Sequence, residues 1–377
     1  MAEKFSKFRD PGTGIQVFLT PVAASTSSSA SGSAGSPGGI ALLLTPIFVV
    51  LGLIRALIGG ICWGLYLATG GAGLLRVVLF MLGFIRLPVD EVASGASGRR
   101  SVSGSKLRPT SAAKRTLGKG DLVLSNHSSW LDLLIISYLY PGIQFVLPVI
   151  ADSAKVEAKR SEDSSTTTAR KTPKKNAMSA NTRIVTPSSA SSTAASNEIP
   201  IVGYAALGLT RALRFVGGLP PCASQLSSSV VEKDLETTLR KADTPLALFP
   251  EVVTSNNRAL LAFNILPQNP PPSISSIHIL TLKYTLPSST STSSVYAVPG
   301  PTNSLTTHLL HILFLSNPVR GVSIRHSTLS SKDEGEGGWA EKVAGLMSSM
   351  ARLKRTSIGW EAKREFLQMV VARGKRV

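Results

Sequence analysis

The spacing of hydrophobic positions from residue 121 onward predicts an α/β domain. Short continuous apolar runs, which are typical of strands buried on both faces, alternate there with apolar positions at helical spacing. Strands are predicted at 121–125, 144–150, 213–216, 245–249, 277–283 and 321–326. Helices are predicted at 130–140, 204–211, 230–241, 302–315 and 339–353. This alternation indicates a mainly parallel sheet flanked by helices.

Segments with few large apolar residues bound this domain and interrupt it. Residues 23–39 consist of Ser, Ala, Gly, Thr and Pro, and we predict a disordered N-terminal tail over 1–39. The domain is predicted to cover 121–355, with a disordered insertion at 152–197 that is rich in Ser, Thr and Lys. The last segment, 356–377, predicts an amphipathic helix and a basic tail. Its apolar face could dock on the domain or lie on a membrane, and we favour docking.

Between the tail and the domain, residues 40–87 predict an N-terminal membrane-associated helical segment. The run 40–68 exceeds the ~20 residues that a spanning helix needs, so it could cross a bilayer once. Arg55 opposes a simple crossing, since a charge at mid-bilayer is costly. Three glycines between residues 59 and 64 allow a hairpin that enters and leaves by one face, and a buried core helix is the third alternative. The shorter run 74–87 carries two arginines and predicts an interfacial helix.

The charge of the chain indicates an anionic partner. Its formal net charge is +18, yet only 16% of its residues are charged, below the ~25% usual in soluble proteins. From residue 92 to residue 120 the chain has seven basic residues and no acidic one, so 88–120 is predicted to be a basic flexible linker. We expect it to contact an anionic membrane surface, the alternative being a merely solvated linker. It has no aromatic residues for base stacking, and we expect no nucleic acid partner.

The candidate catalytic pair, His127 and Asp132, lies in the stretch NHSSWLD at residues 126–132, where a predicted strand meets a predicted helix. This junction is where α/β folds place their chemistry. Ser129 and Asp132 have the spacing of a capping box, which would give the carboxylate a purely structural role. An imidazole held by a carboxylate is also the minimum needed to take a proton from an alcohol near neutral pH. Both roles are compatible if the helix begins near Ser129.

A second candidate block, FPEVVTSNNR at residues 249–258, follows a predicted strand. A loop at the carboxyl end of a strand can offer hydroxyls, amides and a guanidinium to a phosphate group. The alternative is an ordinary turn, in which Asn256 and Asn257 tolerate unusual backbone angles.

Together the two blocks resemble the glycerolipid (lysophospholipid) acyltransferase family, which carries Asn-His-x-x-x-x-Asp followed by Phe-Pro-Glu-Gly-Thr. Between them, residues 199–204 resemble the start of that family's middle block, whose arginine would be Arg211 or Arg214. Residues 277–284 resemble the fourth block without its proline. The resemblance covers about residues 74–284 apart from the insertion, and it implies a glycerol-3-phosphate acyltransferase-like fold. The extended TSNNR form is similar to the branch of lysophosphatidic acid acyltransferases of the endoplasmic reticulum and lipid droplets.

The resemblance implies transfer of a fatty acyl group from acyl-CoA to a lysophospholipid, with lysophosphatidic acid as the expected acceptor and phosphatidic acid as the product. It implies an endoplasmic reticulum or lipid-droplet membrane, and the basic segment at residues 92–120 argues for a catalytic domain on the cytosolic side. His127 would be the general base and Asp132 would fix its tautomer. Neither Cys62 nor Cys222 lies near a block, so we expect direct attack on the thioester, without a covalent acyl-enzyme, a metal or a cofactor.

Six further residues are predicted to bind substrate. Arg258 and the hydroxyl and amide groups before it are expected to hold the phosphate. Glu251 is expected to order the loop or contact the substrate rather than move protons. The full predicted set is Asn126, Glu251, Thr254, Ser255, Asn256 and Arg258.

The chain departs from the family pattern at Val252 and Val253, where the family has Gly-Thr. If the loop needs a positive φ at the glycine position, a β-branched valine there would be strained. The missing threonine hydroxyl also removes a substrate contact. A second hypothesis is therefore a catalytically weak or inactive relative that acts in lipid binding or membrane trafficking. A third, nucleic-acid binding, rests only on the net charge.

Overall fold

The structure of the chain is a computed structural model. It describes residues 2–22, 39–92, 109–110, 117–152, 200–288, 291–300, 303–314, 317–329 and 338–374. The predicted insertion lies outside these residues except at its first position, as do 23–38 of the predicted tail and most of the basic linker. The expectations for those segments stay predictions.

A nine-stranded sheet forms the centre of the domain. Its strands in spatial order are β2 (Pro109–Thr110), β1 (Val89–Glu91), β10 (Val322–Leu329), β9 (Ser276–Tyr284), β3 (Asp121–Ser125), β7 (Leu246–Leu248), β4 (Gln144–Ile150), β5 (Ile201–Leu207) and β6 (Val231–Glu232). The four central strands from β9 to β4 run parallel, whereas β10 and β5 pair antiparallel with their inner neighbours. Two further strands, β8 (Ala259–Leu260) and β11 (Lys354–Arg355), form a separate parallel pair. The predicted α/β class is confirmed, with a mixed sheet.

Helices cover both faces of this sheet. They are α1 (Gly39–Thr69), α2 (Ala72–Met81), α3 (Trp130–Leu139), α4 (Leu209–Ala212), α5 (Leu235–Lys241), α6 (Leu305–Phe314), α7 (Trp339–Ala351) and α8 (Ala362–Gly374). Buried residues of α2, α3 and α6 form one apolar core, and those of α5, α7 and α8 form the other. The sheet thus separates a core that faces α1 from a core that faces the chain's C-terminal end.

The sequence-based predictions were wrong around β5. Residues 201–207 form a strand in which burial alternates from one residue to the next, so the helix predicted over 204–211 shrinks to α4. The strand predicted at 213–216 is a 3-10 turn, Leu213–Phe215. The helix predicted over 230–241 begins only at Leu235, because the β-branched residue Val231 pairs with β5 instead.

The predicted disorder of the N-terminal tail was wrong for residues 2–22. These residues dock on the domain through Phe8, Val17 and Phe18, all of which are buried. The ring of Phe366 in α8 lies 5.2 Å from that of Phe8 and 5.4 Å from that of Phe18. The predicted docking of the C-terminal helix on the domain is therefore confirmed. The aromatic residues of the tail supply apolar surface that the neighbouring Ser/Ala/Gly-rich stretch lacks.

The membrane-associated segment also differs from its predicted form. Helix α1 runs without a break through the three glycines, so they do not divide it into a hairpin. Helix α2 buries Leu75, Val78 and Leu79 in the domain core and is therefore a part of the domain. Val89–Glu91 belongs to the sheet, so the flexible linker cannot begin at residue 88. Among the described residues, Pro46–Thr69 has the length and composition of a membrane span, with a mean hydropathy of 2.1.

Candidate active site

The loop between β3 and α3 brings His127 to the carboxyl end of the sheet. Helix α3 begins at Trp130, directly after the N-cap residue Ser129. The Ser129 amide donates to Asp132 Oδ2 at 2.8 Å, and the Ser129 hydroxyl accepts from the Leu131 amide at 3.4 Å. The predicted capping box is therefore confirmed, and it leaves His127 in the loop that faces the first helical turn.

The same carboxylate also holds His127. Asp132 is fully buried, and its Oδ2 lies 3.3 Å from His127 Nδ1. Oδ2 accepts from the Ser128 amide at 2.6 Å, and Oδ1 accepts from the Tyr284 hydroxyl at 2.6 Å. Asp132 thus serves as helix cap and as histidine partner at once.

His127 is buried, and Asp132 and Phe249 hold its ring in place. Its ring stacks on Phe249 with the centroids 4.1 Å apart and an interplanar angle of 20°. Burial lowers the pKa of His127, and the nearby carboxylate of Asp132 opposes that shift. The imidazole is therefore neutral near neutral pH. With Nδ1–H directed at Asp132, the lone pair lies on Nε2 at the opposite edge of the ring.

His127 forms part of the wall of a narrow apolar cleft that is partly open to solvent. The other lining residues are Leu133, Leu147, Pro148, Ala212, Phe215, Val216, Pro220, Pro221, Phe249 and Val252. Apart from His127, none of the described residues that line it has an ionisable side chain. An apolar wall beside one basic group suits a ligand with a long hydrocarbon part and a single reactive polar group.

The two candidate arginines of the middle block are sequence neighbours of residues that line this cleft. Ala212 and Phe215 line the cleft, while Arg211 and Arg214 immediately precede them and have exposed side chains. Both candidates therefore remain available at the surface.

Glu251 fixes the backbone of the histidine loop. Its Oε2 accepts from the His127 amide at 2.8 Å, and its Oε1 accepts from the Leu261 amide at 2.9 Å. The side chain is fully buried, and this burial raises the pKa of Glu251 to about 7. Of the two predicted roles for this residue, its hydrogen bonds favour ordering of the loop.

The three polar residues that follow the valines are engaged within the protein. The Thr254 hydroxyl donates to Ala297 O at 3.1 Å, and the Ser255 amide donates to His127 O at 2.8 Å. The Asn256 side chain donates to the backbone carbonyl of Gln16. All three side chains are buried, whereas that of Arg258 is exposed. The binding of a phosphate by this set stays a prediction, with Arg258 its accessible member.

Asn126 joins the histidine loop to the neighbouring strand. Its side-chain amide donates to Leu282 O at 3.0 Å, and its carbonyl oxygen accepts from Leu282 N at 2.8 Å. The Asn257 amide also donates to Leu282 O and to the Ser128 hydroxyl. These contacts continue the pairing of β3 with β9 beyond the strand's end.

Sequence reasoning missed two residues of this site, Tyr284 and Lys363. Lys363 is fully buried in α8, and its ammonium donates to Thr254 O at 2.8 Å and to Thr254 Oγ1 at 2.7 Å. A signal for it existed, because Lys363 lies on the predicted apolar face of α8, three residues after Trp360. Tyr284 gave no such signal, since a tyrosine at the end of a strand is ordinary.

The second block carries the expected strain. Val252 has a φ of 64°, the left-handed conformation that favours glycine. Its amide donates to Phe249 O at 2.9 Å, and the next amide, that of Val253, donates to Glu251 O at 2.7 Å. The loop therefore keeps a tight turn without its glycine. For an L-residue this conformation costs about 1–2 kcal/mol.

Replacement of each of the two valines by glycine, one at a time, tests this strain. We expect both substitutions to lower the free energy of unfolding. The loss in Val252→Gly should be about 1–2 kcal/mol smaller than the loss in Val253→Gly. Both valines are buried, but only Val252 has a positive φ, so only Val252→Gly relieves strain. Urea unfolding of both variants in detergent measures the difference. Equal losses would contradict a strained Val252.

The fold and the site together define a class of protein: an α/β protein with a buried histidine–carboxylate pair in the wall of an apolar cleft. No protein-family model matches the chain, and neither the curated proteins nor the solved structures contain a match. The family resemblance of the two sequence blocks stays a prediction.

Proposed function

We propose that this protein is a membrane-bound acyltransferase that moves a fatty acyl group from acyl-CoA to a lysophospholipid. Lysophosphatidic acid is the proposed acceptor and phosphatidic acid the product, at the cytosolic face of the endoplasmic reticulum or at a lipid droplet. The observation that carries the proposal is the His127–Asp132 pair in the wall of an apolar cleft. The cleft offers an apolar surface to an acyl chain, and the pair offers a base to a hydroxyl.

The reaction needs one proton to be moved and returned. His127 Nε2 takes the proton of the free glycerol hydroxyl while the hydroxyl oxygen attacks the thioester carbonyl carbon. The tetrahedral intermediate collapses with cleavage of the carbon–sulfur bond. The imidazolium then returns its proton to the thiolate of coenzyme A, which leaves as the thiol. Asp132 keeps Nδ1 protonated throughout and stabilises the imidazolium.

The surroundings of His127 suit this cycle. The stacked ring of Phe249 and the apolar lining exclude water, which strengthens the attraction between imidazolium and carboxylate. The amide and carbonyl of His127 are bound by Glu251 and Ser255, so the loop is fixed before substrate binds. Preorganisation of this kind contributes to catalysis because no reorganisation is needed during the reaction.

An acceptor panel tests the proposal. The full-length protein in detergent is supplied with oleoyl-CoA and, separately, with lysophosphatidic acid, lysophosphatidylcholine or glycerol 3-phosphate, and lipid products are quantified. We expect phosphatidic acid from the first acceptor at the highest rate. If no acceptor is acylated, the enzyme proposal is wrong and the lipid-binding hypothesis, which Val252 and Val253 motivate, takes its place.

The pH dependence of activity follows from the burial of His127. Only the neutral imidazole accepts a proton, so kcat/KM rises with pH through the pKa of His127 and then levels off. Because burial lowers that pKa below its usual value of 6.5, we expect the acid limb to have its midpoint below pH 6.5. The charged or titratable groups around the ring are Asp132, Glu251, Tyr284 and Lys363. A midpoint at or above 6.5 would contradict this assignment.

Substitution of Lys363 should shift the acid limb of the pH dependence of kcat/KM. Burial lowers the pKa of Lys363 well below its usual value, and the protonated form of Lys363 lowers the pKa of His127, so we expect Lys363→Met to shift the acid limb of kcat/KM to higher pH to the extent that the lysine is charged. Loss of its bonds to Thr254 also loosens the loop, and a misplacement of 1 Å can lower the rate about 10²-fold. The exposed Lys354→Met is the matched control. An unshifted limb in Lys363→Met would show that the lysine charge does not act on His127.

A further inference from the structure

Helix α1 lies along the domain over most of its length. From Phe48 to Tyr66, every third or fourth residue is partly or fully buried against the domain. Arg55 is on this face, and it donates to Met81 O at 2.5 Å and to Leu313 O at 3.1 Å. These nineteen residues of helix measure about 27 Å, close to the ~30 Å thickness of a bilayer's hydrocarbon core.

Helix α1 packs closely against α6. A side chain at Gly52 would lie 2.4 Å from the ring of Phe314, so α1 approaches α6 through a glycine. The carbonyls bound by Arg55 belong to the last turns of α2 and α6, where few intrahelical partners are available. Two of the three side-chain nitrogens of Arg55 thus donate to the domain, and its charge points toward the domain instead of lipid.

The opposite face of α1 is apolar and exposed. Ile47, Val50, Leu57, Ile61 and Leu65 are between 48% and 66% exposed. The one charged residue between Gly39 and Thr69 is Arg55, which faces the domain, so no charge interrupts this row. Exposed rows of large apolar side chains indicate an interaction surface.

The N-terminal residues limit which side of a membrane the start of α1 can occupy. Residues 2–22 are docked on the domain, where the amide of Asn256 donates to Val17 O at 2.8 Å and Phe18 packs on Phe366. Sixteen residues, 23–38, join this docked segment to α1, and they comprise only Ala, Ser, Thr, Gly and Pro. A segment that crosses lipid as a helix needs ~20 mainly apolar residues. The chain therefore reaches α1 from the side on which the domain lies.

We propose that α1 is an interfacial helix that binds the protein to a single phospholipid leaflet without crossing the membrane. Its outward face enters the boundary between headgroups and acyl chains, while its inward face stays on α2 and α6. Both ends of α1 then lie on the side of the domain, as the docked N-terminal residues require. A protein held in this way binds a phospholipid monolayer as well as a bilayer. The inference does not depend on the proposed enzymatic activity.

Thiol labelling of the full chain tests the topology. In a Cys62→Ala, Cys222→Ser background, a single cysteine is placed before α1 (Ser36→Cys) or on the exposed domain surface (Ser229→Cys). Sealed microsomes are treated with a membrane-impermeant maleimide before and after addition of detergent. We expect both cysteines to be labelled to the same extent without detergent. Protection of Ser36→Cys until detergent is added, with Ser229→Cys labelled, would overturn the proposal.

Flotation on triolein droplets tests directly whether the protein binds to a single leaflet. The droplets are coated with a monolayer of phosphatidylcholine and phosphatidylserine, which cannot hold a spanning helix. We expect the wild-type protein to float with the droplets, and Leu57→Lys with Ile61→Lys to lower the bound fraction about tenfold or more. Ser229→Lys adds the same kind of charge to the domain surface and should bind as the wild type does. A wild-type protein that binds bilayer vesicles but not droplets would overturn the proposal, as would equal binding by the Leu57→Lys/Ile61→Lys variant.

Discussion

Asp132→Ala is expected to lower the free energy of unfolding by about 4 kcal/mol, the largest effect on stability of any single change in the site. The substitution removes a helix cap worth about 1 kcal/mol. It also leaves the Ser128 amide and the Tyr284 hydroxyl buried without their acceptor, and each orphaned group costs about 1–3 kcal/mol. Urea unfolding monitored by tryptophan fluorescence measures the loss.

A matched control for this prediction is Asp234→Ala. Asp234 is an acidic residue at the start of α5, where it is the N-cap, but its side chain makes no capping hydrogen bond. We therefore expect Asp234→Ala to cost less than about 1 kcal/mol. If the two alanine variants lose the same stability, Asp132 does not have the structural role that its hydrogen bonds indicate.

The centre of the fold was predictable because its signals are local. The predicted bounds of β3 and β4 coincide with the observed strands, since each is an apolar run flanked by polar or turn residues. The start of α3 was likewise predictable from the serine and aspartate of the capping box. In both cases neighbouring residues alone determine the local structure.

The failures have a common physical cause, which is contact between distant parts of the chain. Residues 201–207 contain two alanines and could form a helix, but antiparallel pairing with β4 holds them in a strand. The N-terminal residues are ordered by contacts with distant residues, among them Phe366 of α8 and Asn256. Sequence spacing cannot reveal either partner.

In the candidate site, too, some features follow from neighbouring residues and others from contacts between distant residues. The pairing of His127 with Asp132 was predicted beside a capping role for the aspartate, and both are present. The strain at Val252 was predicted from the glycine that the resembling family has at this position. The burial of Thr254 could not, because Lys363 approaches it from 109 residues away. A polar loop residue appears free to bind substrate until the partner that occupies it is known.

The proposed function depends on His127 as the base that activates the acceptor hydroxyl. Its direct test is the rate of acyl transfer from oleoyl-CoA to lysophosphatidic acid by His127→Gln beside the wild type. The matched control is His311→Gln, which changes a histidine of α6 away from the cleft. We predict that His127→Gln loses about 10²–10⁴-fold in kcat, while His311→Gln retains wild-type turnover and both variants remain folded. Equal turnover by His127→Gln and the wild type would show that His127 is not this base.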